Sequence, residues 1–390
     1  MGALLGLMMI VIICVVSCSE SNSPTAPDPS PGQSLVSFEA SFGGADTDVA
    51  ADAVQARDGG YILVGRTNSF NAAGYDIYII KLNASGEKQW EKVYGTTVDD
   101  AAEAIITAPD FGYVIAGKRG ANAFLCKIDE TGSVIWLKEY NGTGPQEARG
   151  VVPTTDKGYA LAGWVETGET TGQDVYVART DSLGNLLWQK TYGGTANEQG
   201  NAMAITPDKG FVVAGTISGG EGTPSDAYLL KVDSIGSAKW YRLYGGPSSD
   251  EAQDVAATAD GELLIAGTTG SGTNGGSDML LIRADSLGYS IHQKVFGGQD
   301  DEYGHAMVAM ADGGCLIAGT TESYGNGDKD VFVVKTDATD QLAWHKNFGS
   351  TGPDQGYGVA ITRDNGFVVA GSTESDSTNA TDMYVVKAVP

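Results

Sequence analysis

The chain repeats itself at an interval of 52 residues over most of its length. Five aspartates keep this spacing: Asp174, Asp226, Asp278, Asp330 and Asp382. A glycine that follows an aromatic residue recurs in the same way, at Gly43, Gly95, Gly193, Gly245, Gly297 and Gly349, with one shortened unit between the second and the third. A period near 50 residues is typical of propellers, solenoids or arrays of small modules.

The two ends of the chain distinguish between these architectures. The last unit, residues 350–390, ends before the strand that carries a tryptophan in other units, such as Trp188. Residues 35–44 match that missing strand by their aromatic and Gly-Gly positions. Only a closed ring lets an N-terminal strand complete the last repeat. Residues 35–390 are therefore predicted to form an all-β fold, a seven-bladed β-propeller of four-stranded blades whose last blade is closed by the N-terminal strand.

One unit, residues 193–244, shows how a blade is built. Apolar or small-residue strands are predicted at 199–206, 211–215, 226–232 and 239–244, here called strands A, B, C and D. Tight turns rich in Asp, Gly and Pro separate A from B and C from D. Strands B and C are continuously apolar, as expected for sheets that neighbouring blades cover on both faces. The A–B and C–D turns should share one face, and the longer D–A and B–C loops the opposite one, called here the upper face.

The N-terminal residues resemble a bacterial export signal. Residues 1–17 are apolar and uncharged, and Val15-Val16-Ser17-Cys18 resembles a lipobox, in which the signal is removed and the cysteine is lipidated. Residues 18–34 are rich in Ser and Pro and are predicted to form a flexible tether. We expect a lipoprotein of a bacterial cell envelope, anchored through Cys18 in the outer membrane or at the cell surface. A simple N-terminal membrane anchor is the alternative.

The net charge limits the expected binding partners, and the cysteine content limits the expected disulfide bonds. The chain has 49 Asp and Glu against 24 Lys and Arg, a net charge of −25. Phosphate binding needs clustered cations, so nucleic acid is not expected as a partner, nor is direct docking on anionic lipid. Cys126 and Cys315 lie in predicted strands and are expected to be inert buried thiols. No disulfide framework is predicted, and a monomer is expected.

Large side chains recur in strand D. Trp90, Trp136, Trp188, Trp240 and Trp344 hold one equivalent position, and Phe38 and His292 hold it in the other two units. An aromatic surface for carbohydrate is one interpretation. We favour a structural role, in which each indole wedges between adjacent blades and contributes roughly 1.5–3 kcal/mol by burial. His292 then predicts one weaker junction.

An acidic residue opens strand A in nearly every unit. The residues are Asp48, Asp100, Glu198, Asp250, Glu302 and Asp354, while the third unit has Gln146-Glu147. A carboxylate after a Gly-rich loop accepts backbone N–H groups and closes the turn. The more specific hypothesis is that these residues form a ring of metal ligands at the channel mouth. The expected cation is calcium, because all the ligands would be oxygens. No other cofactor is predicted.

Three residues further along strand A, the side chain differs in almost every unit. The equivalent positions hold Ala51, Glu103, Arg149, Asn201, Gln253, His305 and Tyr357. Two interpretations explain this variety equally well. One is sequence drift on a solvent-exposed channel surface, and the other is a ring of dissimilar groups that binds a small polar ligand. Glu103, Arg149, His305 and Tyr357 also have side chains that suit acid–base chemistry.

The shortened second unit breaks the symmetry of the upper face. Its predicted B–C loop is only residues 118–122, which places Lys118 and Arg119 at a notch in the rim of an acidic protein. Trp164 is a candidate exposed aromatic on a neighbouring loop, and Phe70 and Tyr324 are two more. Ordinary loop packing is the simpler interpretation of each.

The repeat resembles the SBBP-type β-propeller repeat of secreted bacterial and archaeal proteins. The resemblance spans residues 35–390 and rests on four motifs in order: aromatic-Gly-Gly followed by an acidic residue, Asp-Gly-Gly-Tyr-Ile-Leu-Val-Gly (58–65), Asp-x-Tyr followed by apolar residues and Lys, and Gly-x-x-x-Trp. It implies the propeller fold and says almost nothing about activity. The blade order is also similar to Kelch repeats, which serve binding.

Three functional hypotheses follow. The first is a lipid-anchored, extracytoplasmic binding or scaffold module that engages a protein or a glycan on the upper face. The second is an enzyme acting on a polysaccharide at the channel mouth, which would need two of Glu103, Arg149, His305 and Tyr357 near one bound molecule. The third is a purely structural envelope protein. The absence of a recurring nucleophile–base pair favours the first.

Overall fold

The structure is a computed structural model that describes residues 35–70, 72–142, 144–167, 172–219, 223–273, 275–374 and 380–389. In these residues, 28 strands form seven antiparallel four-stranded sheets. No helix within them is long and apolar enough to cross a membrane. The predicted signal peptide (1–17), the tether (18–34) and the lipidation site Cys18 lie outside the described residues.

The first four blades follow one another along the chain, each in the order A, B, C, D from the channel outward. Blade 1 consists of β2 (Asp48–Gln55), β3 (Tyr61–Thr67), β4 (Asp76–Leu82) and β5 (Lys88–Tyr94). Blade 2 consists of β6 (Asp100–Thr107), β7 (Tyr113–Arg119), β8 (Asn122–Ile128) and β9 (Val134–Tyr140). Blade 3 consists of β10 (Gln146–Pro153), β11 (Tyr159–Thr167), β12 (Gly172–Thr180) and β13 (Leu186–Tyr192). Blade 4 consists of β14 (Asn197–Ile205), β15 (Phe211–Ser218), β16 (Ser225–Val232) and β17 (Ala238–Tyr244).

The last blade is completed by the first strand of the chain. Blade 5 consists of β18 (Asp250–Ala257), β19 (Leu263–Thr269), β20 (Asp278–Ala284) and β21 (Ser290–Phe296). Blade 6 consists of β22 (Glu302–Ala309), β23 (Cys315–Thr321), β24 (Asp330–Thr336) and β25 (Leu342–Phe348). Blade 7 consists of β26 (Asp354–Ile361), β27 (Phe367–Glu374), β28 (Thr381–Val389) and β1 (Leu35–Phe42). The antiparallel pairing of β1 with β28 confirms the predicted ring closure.

An ion pair between a buried cation and an exposed carboxylate fixes the A–B turn to strand C. In blade 1 the Lys81 ammonium lies 2.8 Å from the Asp58 carboxylate and also donates to the Leu82 carbonyl, and the Lys81 side chain is only 4% exposed. This explains why the turn carries an aspartate and strand C ends in a lysine. The same pair recurs as Lys127–Asp110, Arg179–Asp156, Lys231–Asp208, Lys335–Asp312 and Lys387–Asp364.

In blades 1 to 4, two aromatic side chains of one blade pack on one glycine of the next. A Cβ on Gly132 would lie 2.9 Å from the Trp90 ring, and the Tyr94 hydroxyl donates to the Gly132 carbonyl at 2.7 Å. The φ of Gly132 is +82°, so both the conformation and the space require glycine. The equivalent contacts are Trp136 and Tyr140 on Gly184, Trp188 and Tyr192 on Gly236, and Trp240 and Tyr244 on Gly288. The indoles therefore occupy the structural position expected from the sequence.

The junction predicted to be weak is filled by a different interaction. Blade 5 has His292 and Phe296 in place of the tryptophan and tyrosine, and blade 6 has Asp340 instead of the glycine, at φ +61°. Arg283, the strand-C neighbour of His292, donates to both carboxylate oxygens of Asp340 at 2.8 and 2.7 Å. Both side chains are nearly buried. A bidentate ion pair thus replaces the aromatic contact at this junction.

We expect Asp340→Asn to destabilise the protein by about 2 kcal/mol, because it breaks the bidentate ion pair of the nearly buried Arg283, which keeps only its contact with Glu262 as an ion pair among the described residues. Lys88→Ala, which removes an exposed ion pair with Glu91, should cost less than about 1 kcal/mol. Chemical denaturation of both variants measures the difference. Equal losses would show that the Arg283–Asp340 pair does not support the junction.

Deleting residues 34–42 removes β1 and should leave the outer edge of β28 unpaired. We expect a lower melting temperature and aggregation, because an open sheet edge pairs with other chains. Differential scanning calorimetry and light scattering test this expectation. A variant that melts like the full chain and stays monodisperse would contradict the role of β1 in closing the ring.

Candidate functional site

The variable polar residues are the bulge residues of the seven inner strands. In every A–B pair the register skips one residue of strand A, and the skipped residue is the variable one: Ala51, Glu103, Arg149, Asn201, Gln253, His305 or Tyr357. A β-bulge leaves its extra residue unpaired in the ladder and re-aims its side chain. This regular bulge is the backbone reason why one strand position is free to vary while its neighbours stay small.

On one side of the channel, these residues contact each other across blades. The Arg149 guanidinium donates to the Asn201 amide oxygen at 2.8 Å and to Gln199 at 3.2 Å, and its Nε donates to Glu147 at 3.0 Å. Asn201 in turn donates to the Ala252 carbonyl of blade 5 at 2.9 Å. Arg149 and Asn201 of the predicted ring thus belong to a hydrogen-bond network that reaches from blade 3 to blade 5.

Arg149, Gln199 and Asn201 of this network line a polar recess of about 570 Å³. Its walls come from strand A and from the upper ends of strands B and C, where the long loops begin. The recess is lined by amide and hydroxyl groups with one cation and one carboxylate: Arg149, Asn197, Gln199, Asn201, Thr216, Ser218, Thr223, Ser225, Glu251 and Gln253. Sequence analysis identified three of these residues. Gln199 and Glu251 lie two positions before a bulge residue and could have been found by the same comparison of units.

The opposite side of the channel is aromatic. His305 lies between Tyr303 and Tyr357, with ring centroids 6.4 and 5.2 Å away. Burial, with a smaller effect from Lys329, lowers the pKa of His305 to about 4, so the imidazole is neutral at pH 7. The Tyr357 hydroxyl donates to Gln355 at 2.8 Å. This side can stack on a ligand ring or hydrogen-bond to it.

The four residues considered for acid–base chemistry form two separate groups. Glu103 belongs to blade 2 beside Arg149, whereas His305 and Tyr357 belong to blades 6 and 7 across the ring. Burial and the nearby Glu147 raise the pKa of Glu103 to about 7, although Arg66 and Arg149 oppose the rise. Glu103 is thus able to exchange a proton near neutral pH.

Two further channel carboxylates were missed by sequence analysis. Asp52 and Asp254 follow the bulges of blades 1 and 5, and each accepts an N–H from the next blade, that of Ile105 at 2.9 Å and that of Met307 at 2.7 Å. Burial raises the pKa of Asp52 to about 7 and that of Asp254 to about 6. These hydrogen bonds link strand A of one blade to strand A of the next. Such contacts between units cannot be found from the sequence pattern of a single unit.

The acidic residues that open strand A are buried under their own loops instead of lining the channel mouth. Asp48 accepts the Gly44 N–H at 2.7 Å, and Glu302 accepts the Gly298 N–H at 2.6 Å, as the turn-closing interpretation expects. The same contact recurs at Asp250 and Asp354. Among the described residues, no three His, Cys, Asp or Glu side chains form a group that could hold a metal. The metal hypothesis for Asp48, Asp100, Glu198, Asp250, Glu302 and Asp354 stays a prediction.

The structure changes the interpretation of the notch and of the aromatic candidates. β7 and β8 extend to Arg119 and Asn122, so only two residues form the turn, and Arg119 pairs with Glu139 at 2.8 Å. Lys118 lies within β7 near Glu103. Trp164 lies in strand β11, not in a loop, and is half-buried with a shielded indole nitrogen. Cys126 and Cys315 are buried free thiols whose pKa values burial raises to about 12 and about 11.

Comparisons with known proteins support the fold. No protein-family model matches the chain, so the resemblance to the SBBP-type family rests on the motifs quoted above. Part of the chain is 28% identical over 111 residues to the regulatory protein FlaEY of Caulobacter vibrioides, a match that covers 25% of this chain and only 12% of that protein.

Solved structures similar to this chain are β-propellers of low sequence identity. The Pan2 WD40 domain of Neurospora crassa has a TM-score of 0.56 and 11% identity, with 87% of this chain and 89% of that chain covered. BBS1N, solved in complex with ARL6DN, has a TM-score of 0.54 and 13% identity, with 92% and 97% covered. Sqt1 from Chaetomium thermophilum has a TM-score of 0.54 and 12% identity, with 92% and 100% covered. The shared feature is the seven-bladed β-propeller fold alone.

The raised pKa of Asp52 has a testable effect on stability. Since the native state holds the proton more tightly than the unfolded chain, ionisation of Asp52 lowers stability as the pH rises from about 4 to about 7, and no further above that. Asp52→Asn removes this loss. The melting temperature of the variant relative to the parent should therefore increase from pH 4 to pH 7.

The matched control is Asp46→Asn, which removes the same charge from an exposed position. Its melting temperature should keep a constant offset from the parent over that pH range. If Asp52→Asn shows the same constant offset, the Asp52 carboxylate does not titrate between pH 4 and pH 7 in the native state.

Proposed function

We propose that this protein is a lipid-anchored, extracytoplasmic binding module of a bacterial cell envelope, and that the recess in blades 3–5 binds a neutral, hydroxyl-rich ligand of the carbohydrate class. The anchor and the location rest on the lipobox-like residues before Cys18 and on the Ser/Pro-rich tether. The ligand class rests on the chemistry of the recess.

One observation carries the proposal: the recess is built almost entirely from groups that both donate and accept hydrogen bonds. Amide and hydroxyl side chains suit sugar hydroxyls, which also do both. Arg149 is already paired with Glu147 and bonded to two amide oxygens, and Glu251 adds a negative charge. An anionic ligand would therefore gain little attraction at this site, whereas a neutral polyol meets many matching partners.

The asymmetry of the ring supports a ligand in this place. The junction residues repeat in most blades because they hold the ring together. By contrast, the equivalent positions around the channel are amides in blades 4 and 5, a guanidinium in blade 3 and aromatic rings in blades 6 and 7. A ligand in the recess would contact the amides of blades 4 and 5 directly.

Gln199→Ala should weaken glycan binding roughly tenfold, as expected for the loss of one hydrogen bond worth about 1.4 kcal/mol. The matched control is Gln355→Ala, which changes the equivalent residue of blade 7 outside the recess. Glycan-array screening followed by isothermal titration calorimetry makes the comparison. A panel without any binding glycan, or an equal effect of the two variants, would refute the proposed site.

A polysaccharide-active enzyme is the second candidate, and the raised pKa of Glu103 beside Arg149 favours it. A group that titrates near 7 can act as an acid or a base at neutral pH. Reducing-end release from any bound glycan, lost in Glu103→Gln with binding retained, would identify the enzyme. Binding without release would leave the binding module as the function.

A further inference from the structure

Two carboxylates meet at nearly every blade junction of the upper face. The first comes from the start of strand C, and the second opens strand A of the next blade. The six pairs are Asp382 with Asp48, Asp76 with Asp100, Asp174 with Glu198, Asp226 with Asp250, Asp278 with Glu302, and Asp330 with Asp354. The periodic aspartates and the periodic acidic residues of the sequence are therefore two halves of one arrangement.

At the junction of blades 7 and 1, the two carboxylates share one small buried space. A Cβ on Gly43 would lie 2.0 Å from Asp382 Oδ1 and 2.5 Å from Asp48 Oδ2. Asp48 is fully buried, and its Oδ2 accepts the Gly44 N–H and the Ser69 hydroxyl. Within the described part of the chain, Oδ1 of Asp48 and Oδ1 of Asp382 are both shielded from solvent and accept no hydrogen bond. Two anionic oxygens are thus left without a partner at this junction.

The junction of blades 1 and 2 also brings two carboxylates together, because the Asp100 N–H donates to the Tyr75 carbonyl at 2.6 Å and so places Asp76 beside Asp100. Asp100 is fully buried, and its Oδ1 accepts the Gly120 N–H at 2.9 Å. Its Oδ2 and Asp76 Oδ1 are shielded and lack a hydrogen-bond partner among the residues that the structure describes. The charge that acts on Asp76 is that of Asp100, and the charge that acts on Asp382 is that of Asp48; no lysine or arginine contributes at either. Both pairs lack a counter-charge from the described residues.

The junction of blades 2 and 3 shows that the two positions are chemically coupled. Here the start of strand C is Asn122 and the opening residue of strand A is Gln146. Both carboxylates are replaced by amides together, so neither of these two positions is charged at this junction. Buried anions are unfavourable unless they are paired or coordinate a metal, whereas a neutral amide is less costly to bury, even though Gln146 Oε1 also lacks a hydrogen-bond partner among the described residues. The joint replacement is expected if the acidic pairs depend on a ligand that an amide pair does not require.

We propose that the carboxylate pairs Asp382–Asp48 and Asp76–Asp100, on the two sides of blade 1, each bind a divalent cation of the calcium type. The ligands are all oxygens, which hard cations prefer, and the irregular loops above them suit the flexible coordination of calcium better than the strict octahedron of magnesium. Two carboxylates with water in the remaining positions give a weak site, with a dissociation constant on the order of 10⁻⁴ to 10⁻³ M.

A cation at Asp382–Asp48 would act on ring closure. Asp382 is the second residue of β28, the strand that pairs with β1, and Asp48 begins blade 1. A bound cation would therefore tie the blade assembled from both chain ends to its neighbour. This inference does not depend on the ligand of the recess, because none of these four carboxylates lines it.

Calcium binding to the chelator-treated full chain, measured by equilibrium dialysis with ⁴⁵Ca²⁺, tests the proposal. The double variants Asp76→Asn/Asp100→Gln and Asp382→Asn/Asp48→Gln introduce the amide pair that the chain already uses at Asn122 and Gln146. Each should lose one bound calcium relative to the parent. The parent should also melt at a higher temperature in millimolar calcium, with reversal by EDTA.

Asp46→Asn/Glu130→Gln is the control, since it removes two exposed charges and should keep the full calcium stoichiometry. Circular dichroism verifies that each variant has the parental strand content. No saturable uptake by the parent up to 10-fold above the expected dissociation constant would overturn the proposal, as would parental stoichiometry in both amide-pair variants. If the control variant loses as much bound calcium, the calcium is held by general negative charge and not by these carboxylate pairs, which would also overturn the proposal.

Discussion

The packing of strand D against the C–D turn of the next blade holds the ring together. A propeller blade cannot bury its faces alone, so the free energy that closes the ring comes from junctions between blades. At Gly132 that junction is an indole face, a tyrosine hydroxyl and a glycine in the left-handed conformation. Each part requires the other two, because any Cβ would collide with Trp90, and the hydroxyl needs the turn carbonyl as an acceptor. This mutual requirement keeps the motif constant through most units.

The junction of blades 5 and 6 shows that the requirement is geometric and not tied to tryptophan. Once His292 replaces the indole, the turn has room for a side chain, and Asp340 fills it. Arg283 lies in the strand position that holds lysine in most blades, and it reaches both Glu262 of its own turn and Asp340 of the next blade. Arginine can bind both carboxylates because its planar guanidinium carries N–H donors on two sides, whereas a lysine ammonium does not. Three substitutions thus form one alternative junction.

The fold could be predicted from the sequence because its determinants are local and periodic. The 52-residue spacing, the turn residues and the match of residues 35–44 to the missing strand all lie within one unit or at the chain ends. The site was only partly predictable. Glu103, Arg149 and Asn201 were identified by their variation, but the bulge that aims them was not, since an inserted residue leaves no signature in a strand of small side chains. Contacts between units, such as Asp52 with Ile105 or Asp382 with Asp48, arise only when the ring closes.

The same closure explains why charge accumulates on the upper face. Strand C and the next strand A both begin there, so the carboxylates at these two starts are brought next to each other at six of the seven junctions. On the opposite face the aspartates of the A–B turns meet the lysines of strand C, and their charges cancel. The net charge of −25 therefore affects the two faces of the ring differently. The A–B turn carboxylates of the opposite face are paired with cations, while the upper face keeps buried anions around a recess of mostly neutral polar groups. A face with this charge distribution disfavours anionic ligands.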